Sequence, residues 1–86
     1  MNFLTLLSTL ESSLNRETTN YQGMPTCTWK GSITKVTVNS NDEYINVYQL
    51  FITHDTSGVV TLHINHSKSN YTADYKLSNI STLVIT

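Results

Sequence analysis

The chain has 86 residues, a net charge of −1 and only 13% charged residues, which is typical of one small domain without a strongly charged surface. Its five lysines and arginines are scattered, so we expect no nucleic-acid binding through phosphates. The single cysteine excludes an internal disulfide, and no apolar run reaches transmembrane length. We therefore expect a cytoplasmic protein without a membrane partner.

The first predicted element is an amphipathic helix over residues about 3–16. Asn2 can cap its start, and the turn-prone residues 18–20 follow its end. Residues about 18–26 are predicted to form a connector, which contains the only proline of the chain. Apolar side chains of the helix recur on one stripe: Phe3, Leu7, Leu10 and Leu14, with Leu6 beside them.

From Cys27 onward, apolar and polar residues alternate as they do in strands. The short connections between the apolar runs favour antiparallel neighbours. We therefore predict an α+β fold, in which one N-terminal amphipathic helix packs on one face of a four- or five-stranded antiparallel sheet. Turn-forming clusters divide this region into strands over residues about 27–38, 43–54, 59–66, 71–77 and 82–85.

Turn chemistry predicts the register of the central hairpin. The segment Asp55-Thr56-Ser57-Gly58 suits a type I turn that ends in a left-handed glycine. The predicted register puts the apolar residues of both strands on one face, which supports it independently. The predicted cross-strand pairs are His54–Val60, Ile52–Leu62, Leu50–Ile64 and Tyr48–His66. The register extends outward as Ala73–Ile64, Tyr75–Leu62 and Leu77–Val60, with Val38 opposite Tyr44.

The same register leaves several apolar side chains on the sheet face away from the helix. Contiguous exposed apolar area rimmed by polar groups is typical of an interaction site. The alternatives are that the register is wrong, or that the last strand or a long loop covers this face. The predicted partner-binding residues are Ile33, Ile45, Val47, Phe51, His63 and Asp74.

His63 opposite Asp74 is the one predicted pair with catalytic potential, because a carboxylate can orient an imidazole as a general base. It can equally be a cross-strand pair that stabilises the sheet. The nearest hydroxyl in the predicted register is that of Thr61. No pair of histidines is placed to chelate a metal, so we predict neither a metal site nor a cofactor.

The segment YQGMPTCTWKG, residues 21–31, collects most of the unusual residues. Cys27 and Trp29 alternate with threonines, so both are predicted to face the core, and Gly31 to form a bulge. A nucleophilic role for Cys27 would need a histidine and an electropositive setting. Tyr21 and Met24 are possible loop contacts for a partner.

Three functions fit these observations. The first is a small non-enzymatic binding protein, of the inhibitor, immunity or phage anti-defence type, that occupies a macromolecular partner through an open sheet face. The second is a self-assembling structural or phage component, or a homo-oligomer that sequesters a small ligand. The third is a small hydrolase that uses His63 and Asp74 or Cys27. The partner is thus expected to be a protein, a second copy of the chain, or both.

Overall fold

The structure, a computed structural model, describes residues 1–21, 23–66 and 72–86, and only the backbone of Tyr21, Met24 and Pro25. It confirms the α+β class, with an N-terminal helix packed on antiparallel strands. The elements run in the order α1 (Phe3–Glu11), β1 (Asn15–Tyr21), β2 (Met24–Lys30), β3 (Lys35–Val38), β4 (Asp42–Ile45), β5 (Val47–His54), β6 (Val60–His66), β7 (Ala73–Lys76), a 3₁₀ turn (Leu77–Asn79) and β8 (Leu83–Ile85).

The strands form two antiparallel sheets and not one. The main sheet has the order β1-β2-β5-β6-β7, and the small sheet has the order β4-β3-β8. Leu6 and Leu10 of α1 are fully buried and belong to one hydrophobic cluster with residues of both sheets. The core therefore lies between the helix and the inner faces of the two sheets. Its largest fully buried side chain is Trp29 in β2.

The helix is shorter than predicted and the connector over 18–26 is wrong. Asn2 caps the start of α1 by accepting a hydrogen bond from the Thr5 N–H at 2.8 Å, but the helix ends at Glu11. The threonine-rich chain that follows favours strands. It forms the hairpin β1–β2, in which Tyr21 pairs with Met24 and Gly23 adopts a φ of 81°.

Each of the first two predicted strands, 27–38 and 43–54, divides into two. Asn46, with a φ of 54°, is the single residue between β4 in the small sheet and β5 in the main sheet. Val36, rather than Val38, pairs with Tyr44. Asn39 and Ser40 both have positive φ and the Asn41 N–H donates to the Val38 carbonyl, so that only residues 39–41 separate the paired residues Val38 and Asp42.

The hairpin β5–β6 has the predicted turn. Gly58 has a φ of 84°, its N–H donates to the Asp55 carbonyl, and the Asp55 carboxylate accepts from the N–H groups of Ser57 and Val59. The pairs His54–Val60, Ile52–Leu62 and Leu50–Ile64 are confirmed.

One predicted pair of this hairpin, Tyr48–His66, is wrong. A bulge shifts the register, so that Val47 pairs with His66 and is buried, whereas Tyr48 is exposed. The prediction of Val47 on the outer face fails for the same reason.

The last part of the chain completes both sheets. Ala73–Ile64 and Tyr75–Leu62 pair as predicted, but the chain enters the 3₁₀ turn at Leu77, so the predicted pair Leu77–Val60 does not form. Tyr71, the predicted first residue of that strand, lies outside the described residues. The final strand, predicted over 82–85, is β8 and pairs with β3.

Candidate functional site

The predicted row across the outer face of the main sheet is present. Phe51 pairs with His63, and His63 pairs with Asp74. The rings of Phe51 and His63 stack, with centroids 4.5 Å apart and planes inclined by 10°. This row is nevertheless not an open apolar surface, because Phe51 is only 5% exposed and His63 only 7%.

The six predicted partner-binding residues do not form one surface. Ile33 and Val47 pack against the core beneath the sheets. Phe51, His63 and Asp74 stay together on the main sheet, and Ile45 lies at the end of β4 in the small sheet. The prediction fails because it placed all strands in one sheet, whereas Asn46 transfers the chain from one sheet to the other.

A chain of hydrogen bonds passes through His63. Its Nε2 lies 2.6 Å from the Thr53 hydroxyl, and its Nδ1 lies 2.7 Å from an Asp74 carboxylate oxygen. The Thr72 hydroxyl donates to the same oxygen of Asp74. If Nδ1–H donates to the carboxylate, Nε2 can accept from Thr53, which is the order that activates a hydroxyl nucleophile. The same contacts also connect β5, β6 and β7.

Threonine side chains of the hairpin β1–β2 form further hydrogen bonds on the same sheet. Thr28 is fully buried and its hydroxyl lies 2.6 Å from that of Thr19, while Thr26 is also buried. Thr28 is the cross-strand neighbour of Phe51. Hydroxyl pairs of this kind satisfy buried polar atoms within the sheet. The outer face of the main sheet is therefore closely packed and internally hydrogen-bonded near Phe51.

The small sheet has a different outer face. Val36 and Val38 point into the core, so Lys35 and Thr37 point outward together with their cross-strand neighbours Glu43, Ile45 and Val84. Lys35 and Glu43 form an exposed ion pair at 3.1 Å.

Ile45 is 41% exposed and Val84 is 53% exposed, and Tyr48, three residues after Ile45, is 60% exposed. We call Ile45 and Val84 of the small sheet, together with Tyr48 of the main-sheet strand β5, the small-sheet surface.

A contact between the two sheets supports this surface. The hydroxyls of Tyr44 in β4 and Tyr75 in β7 are hydrogen-bonded, and the Tyr75 hydroxyl also donates to Asp42 at 2.9 Å. Burial raises the pKa of Tyr75 well above its ordinary value, and the hydrogen bonds add to this effect. These hydrogen bonds of Tyr75 hold the start of β4 against the main sheet.

The remaining predicted site residues give no cluster of reactive groups. Cys27 is exposed, contrary to the prediction of a core position, whereas Trp29 is buried as predicted. Among the described residues, no three His, Cys, Asp or Glu side chains are placed to hold a metal ion. Tyr21 and Met24 end β1 and begin β2, and their side chains lie outside the described part of the structure.

One further concavity lies at the end of the core face. An open apolar depression of about 390 Å³ is lined by Phe3, Ile52, His54, Gly58 and Val60. Its lining is almost entirely apolar, so it offers no arrangement of polar groups that would orient a ligand.

The comparisons with known proteins add no relative. No protein-family model, no curated protein and no solved structure matched this chain. Within residues 1–21, 23–66 and 72–86, no helix is long and apolar enough to cross a membrane.

Three residues with candidate roles were missed from the sequence. Thr53 lies diagonally across the strands from His63, and diagonal neighbours are within reach of long side chains. Tyr48 is exposed only because of the bulge beside it, for which the sequence has no clear signal. Val84 was placed in a strand without a partner, so its exposure could not be predicted.

Proposed function

We propose that this protein is a small non-enzymatic binding protein that associates with another protein chain through the small sheet. The observation that carries the proposal is the exposure of the small-sheet surface, Ile45, Tyr48 and Val84, on a side of the fold that the core does not use. Contiguous exposed apolar area rimmed by polar groups is typical of an interaction site, and we take these three side chains to contribute to one such area.

The chemistry around this surface supports a protein partner. Its rim consists of Lys35 and Glu43, which neutralise each other, and the hydroxyl of Thr37. A rim without excess charge suits neither a phosphate backbone nor an anionic lipid surface. Aromatic and aliphatic anchors inside a polar rim are instead the usual composition of a protein interface.

Ile45→Lys is expected to abolish capture of a different protein while leaving the fold intact. Ile45 is exposed at the end of β4, so a lysine there places a charge on the surface without entering the core. Because Lys35 lies directly opposite on β3 and the two cations repel each other, we expect the free energy of unfolding to fall by about 1 kcal/mol or less, with the fold retained. The measurement is the amount of protein captured, in stoichiometric ratio, by tagged wild-type and variant chains in lysate of the producing cells.

The matched control is Lys76→Ala, which alters an exposed charged residue in β7, an edge strand of the main sheet. It should capture as much partner as the wild type. Equal capture by Ile45→Lys, with an unchanged circular dichroism spectrum, would contradict the proposal.

A second candidate function is supported by one observation, the hydrogen-bonded order Thr53, His63, Asp74. In this hypothesis the Thr53 hydroxyl attacks an activated ester and passes its proton to Nε2, while Asp74 stabilises the imidazolium. The cross-strand hydrogen bonds among the same side chains need no such reaction, since they also stabilise the sheet.

The two interpretations of Thr53 differ in a measurable way. If Thr53 is a nucleophile, Thr53→Val abolishes p-nitrophenyl acetate hydrolysis and Thr53→Ser retains it. On the binding proposal, we expect the wild type to hydrolyse the ester no faster than Thr53→Val does. A burst of nitrophenol with a stable acetyl adduct on Thr53, seen by mass spectrometry, would favour the enzyme.

A further inference from the structure

The edge strand β8 differs from the other edges of the two sheets. Among the described residues, the edges are β1 and β7 in the main sheet and β4 and β8 in the small sheet. Charged residues on an edge strand discourage pairing with another chain, and β8, Leu83–Ile85, has none. The other three edges are charged: Arg16 and Glu17 in β1, Asp42 and Glu43 in β4, and Asp74 and Lys76 in β7.

On the side of β8 away from β3, the backbone groups follow the order that an added strand requires. Lys35 and Thr86 exchange both of their backbone hydrogen bonds, at 3.2 and 2.9 Å. Because such pairs alternate along an antiparallel ladder, Val84 also directs its N–H and C=O toward β3. Leu83 and Ile85 then direct theirs away from β3. No described strand lies on that side.

The sequence around β8 is nearly the same in both directions. Residues 82–86 read Thr-Leu-Val-Ile-Thr, with Val84 at the centre. If two copies pair antiparallel about Val84, Thr82 lies opposite Thr86 of the second copy, and Leu83 lies opposite Ile85. Every cross-strand pair then joins residues of the same chemistry, which is the condition for a self-complementary interface with two-fold symmetry.

We propose that the partner at β8 is a second copy of this chain, joined by antiparallel β8–β8 pairing centred on Val84. This inference rests on the proposed function, because it names the occupant of one edge of the same small sheet. The pairing joins two three-stranded sheets into one of six strands and gives hydrogen-bond partners to the backbone groups of Leu83 and Ile85 that point away from β3. The two Val84 side chains, each 53% exposed in the single chain, cover each other.

The proposed register makes a sharp geometric prediction. The Val84 residues of the two copies form a pair without mutual hydrogen bonds, with Cα atoms about 4.5 Å apart. That separation allows a disulfide between cysteines introduced at this position. Thr82 and Thr86 lie on the same face of the strand as Val84. In the proposed pairing, Thr82 of one copy lies opposite Thr86 of the other. A single cysteine at either place therefore has no cysteine opposite it.

The test is disulfide trapping in a Cys27→Ser background, which removes the exposed native thiol. Under a glutathione redox buffer, Val84→Cys should form a covalent dimer at least tenfold faster than Thr82→Cys or Thr86→Cys. Sedimentation of the wild type should show a dimer fraction that rises with concentration, and Val84→Lys should stay monomeric. Equal trapping at the three positions, or no trapping at Val84→Cys with a native circular dichroism spectrum, would overturn the inference.

The inference and the proposed function fail in different ways. Ile45 lies in β4, at the edge of the small sheet opposite to β8, so Ile45→Lys should leave trapping at Val84→Cys unchanged. Suppose that Val84→Cys forms no covalent dimer, and that Ile45→Lys abolishes the capture seen with the wild type. This result would reject the second copy as the occupant of β8. The protein-binding function would stand in that case.

Discussion

Trp29→Ala is expected to lower the free energy of unfolding by about 3–5 kcal/mol, the usual range for removing a buried aromatic side chain from a core. Trp29 of β2 is the largest fully buried side chain and belongs to the core cluster that also contains Leu6 and Leu10 of the helix. A domain of this size has a total stability on the order of 5 kcal/mol, so the variant should retain at most about 2 kcal/mol and be only marginally folded at 25 °C. Urea unfolding followed by circular dichroism measures the effect.

Trp29→Phe is the matched control. It keeps an aromatic ring in the core and removes a buried N–H that has no hydrogen-bond partner among the described residues. An unpaired buried donor is unfavourable, so its removal offsets part of the lost packing. We expect a clearly smaller loss than for alanine. If Trp29→Ala lowered the free energy of unfolding by less than about 1 kcal/mol, Trp29 would not be part of the hydrophobic core.

Phe51→Ala is expected to destabilise the protein by about 3 kcal/mol, although Phe51 lies on the sheet face away from the helix. The reason is its burial, with 5% exposure, and the stacking of its ring on His63. Phe51→Asp should be unfolded, because it would also bury a charge. Thermal unfolding by circular dichroism distinguishes these effects.

Tyr48→Ala serves as the control for Phe51, because Tyr48 lies three residues earlier in β5 and is exposed. Its expected change in unfolding free energy is below about 0.5 kcal/mol. If Phe51→Ala instead left the fold stable and abolished association, Phe51 would be a partner contact, as the sequence predicts.

The sequence predicted best where two local signals agreed. Turn chemistry at Asp55–Gly58 and the alternation of apolar residues each specify the β5–β6 register, and the structure has it over most of the hairpin. The row from Phe51 to Asp74 followed from that register. Where one signal stood alone, the outcome was poorer. Leu14 extends the helical stripe beyond Glu11 and is buried, but from a position after the helix has ended.

The division into two sheets could not be predicted from the sequence. It depends on backbone conformations that the residues at those positions can adopt but that their side chains do not require. Asn39, Ser40 and Asn46 adopt positive φ, which asparagine tolerates better than most residues without requiring it. The sequence likewise contains no clear signal for the bulge beside Tyr48. These features decided which candidate residues became exposed: they left Ile45 on the small sheet, put Val47 in the core and exposed Tyr48.

Native mass spectrometry of untagged protein, gently purified from the cells that produce it, tests most directly whether association through the small sheet is what this protein does. The single chain has a mass of 9.7 kDa. We expect a larger assembly, whose added mass identifies a second copy or another protein. The double variant with Ile45→Lys and Val84→Lys should have the mass of the single chain. A wild-type protein that stays at 9.7 kDa at every concentration measured would contradict the account.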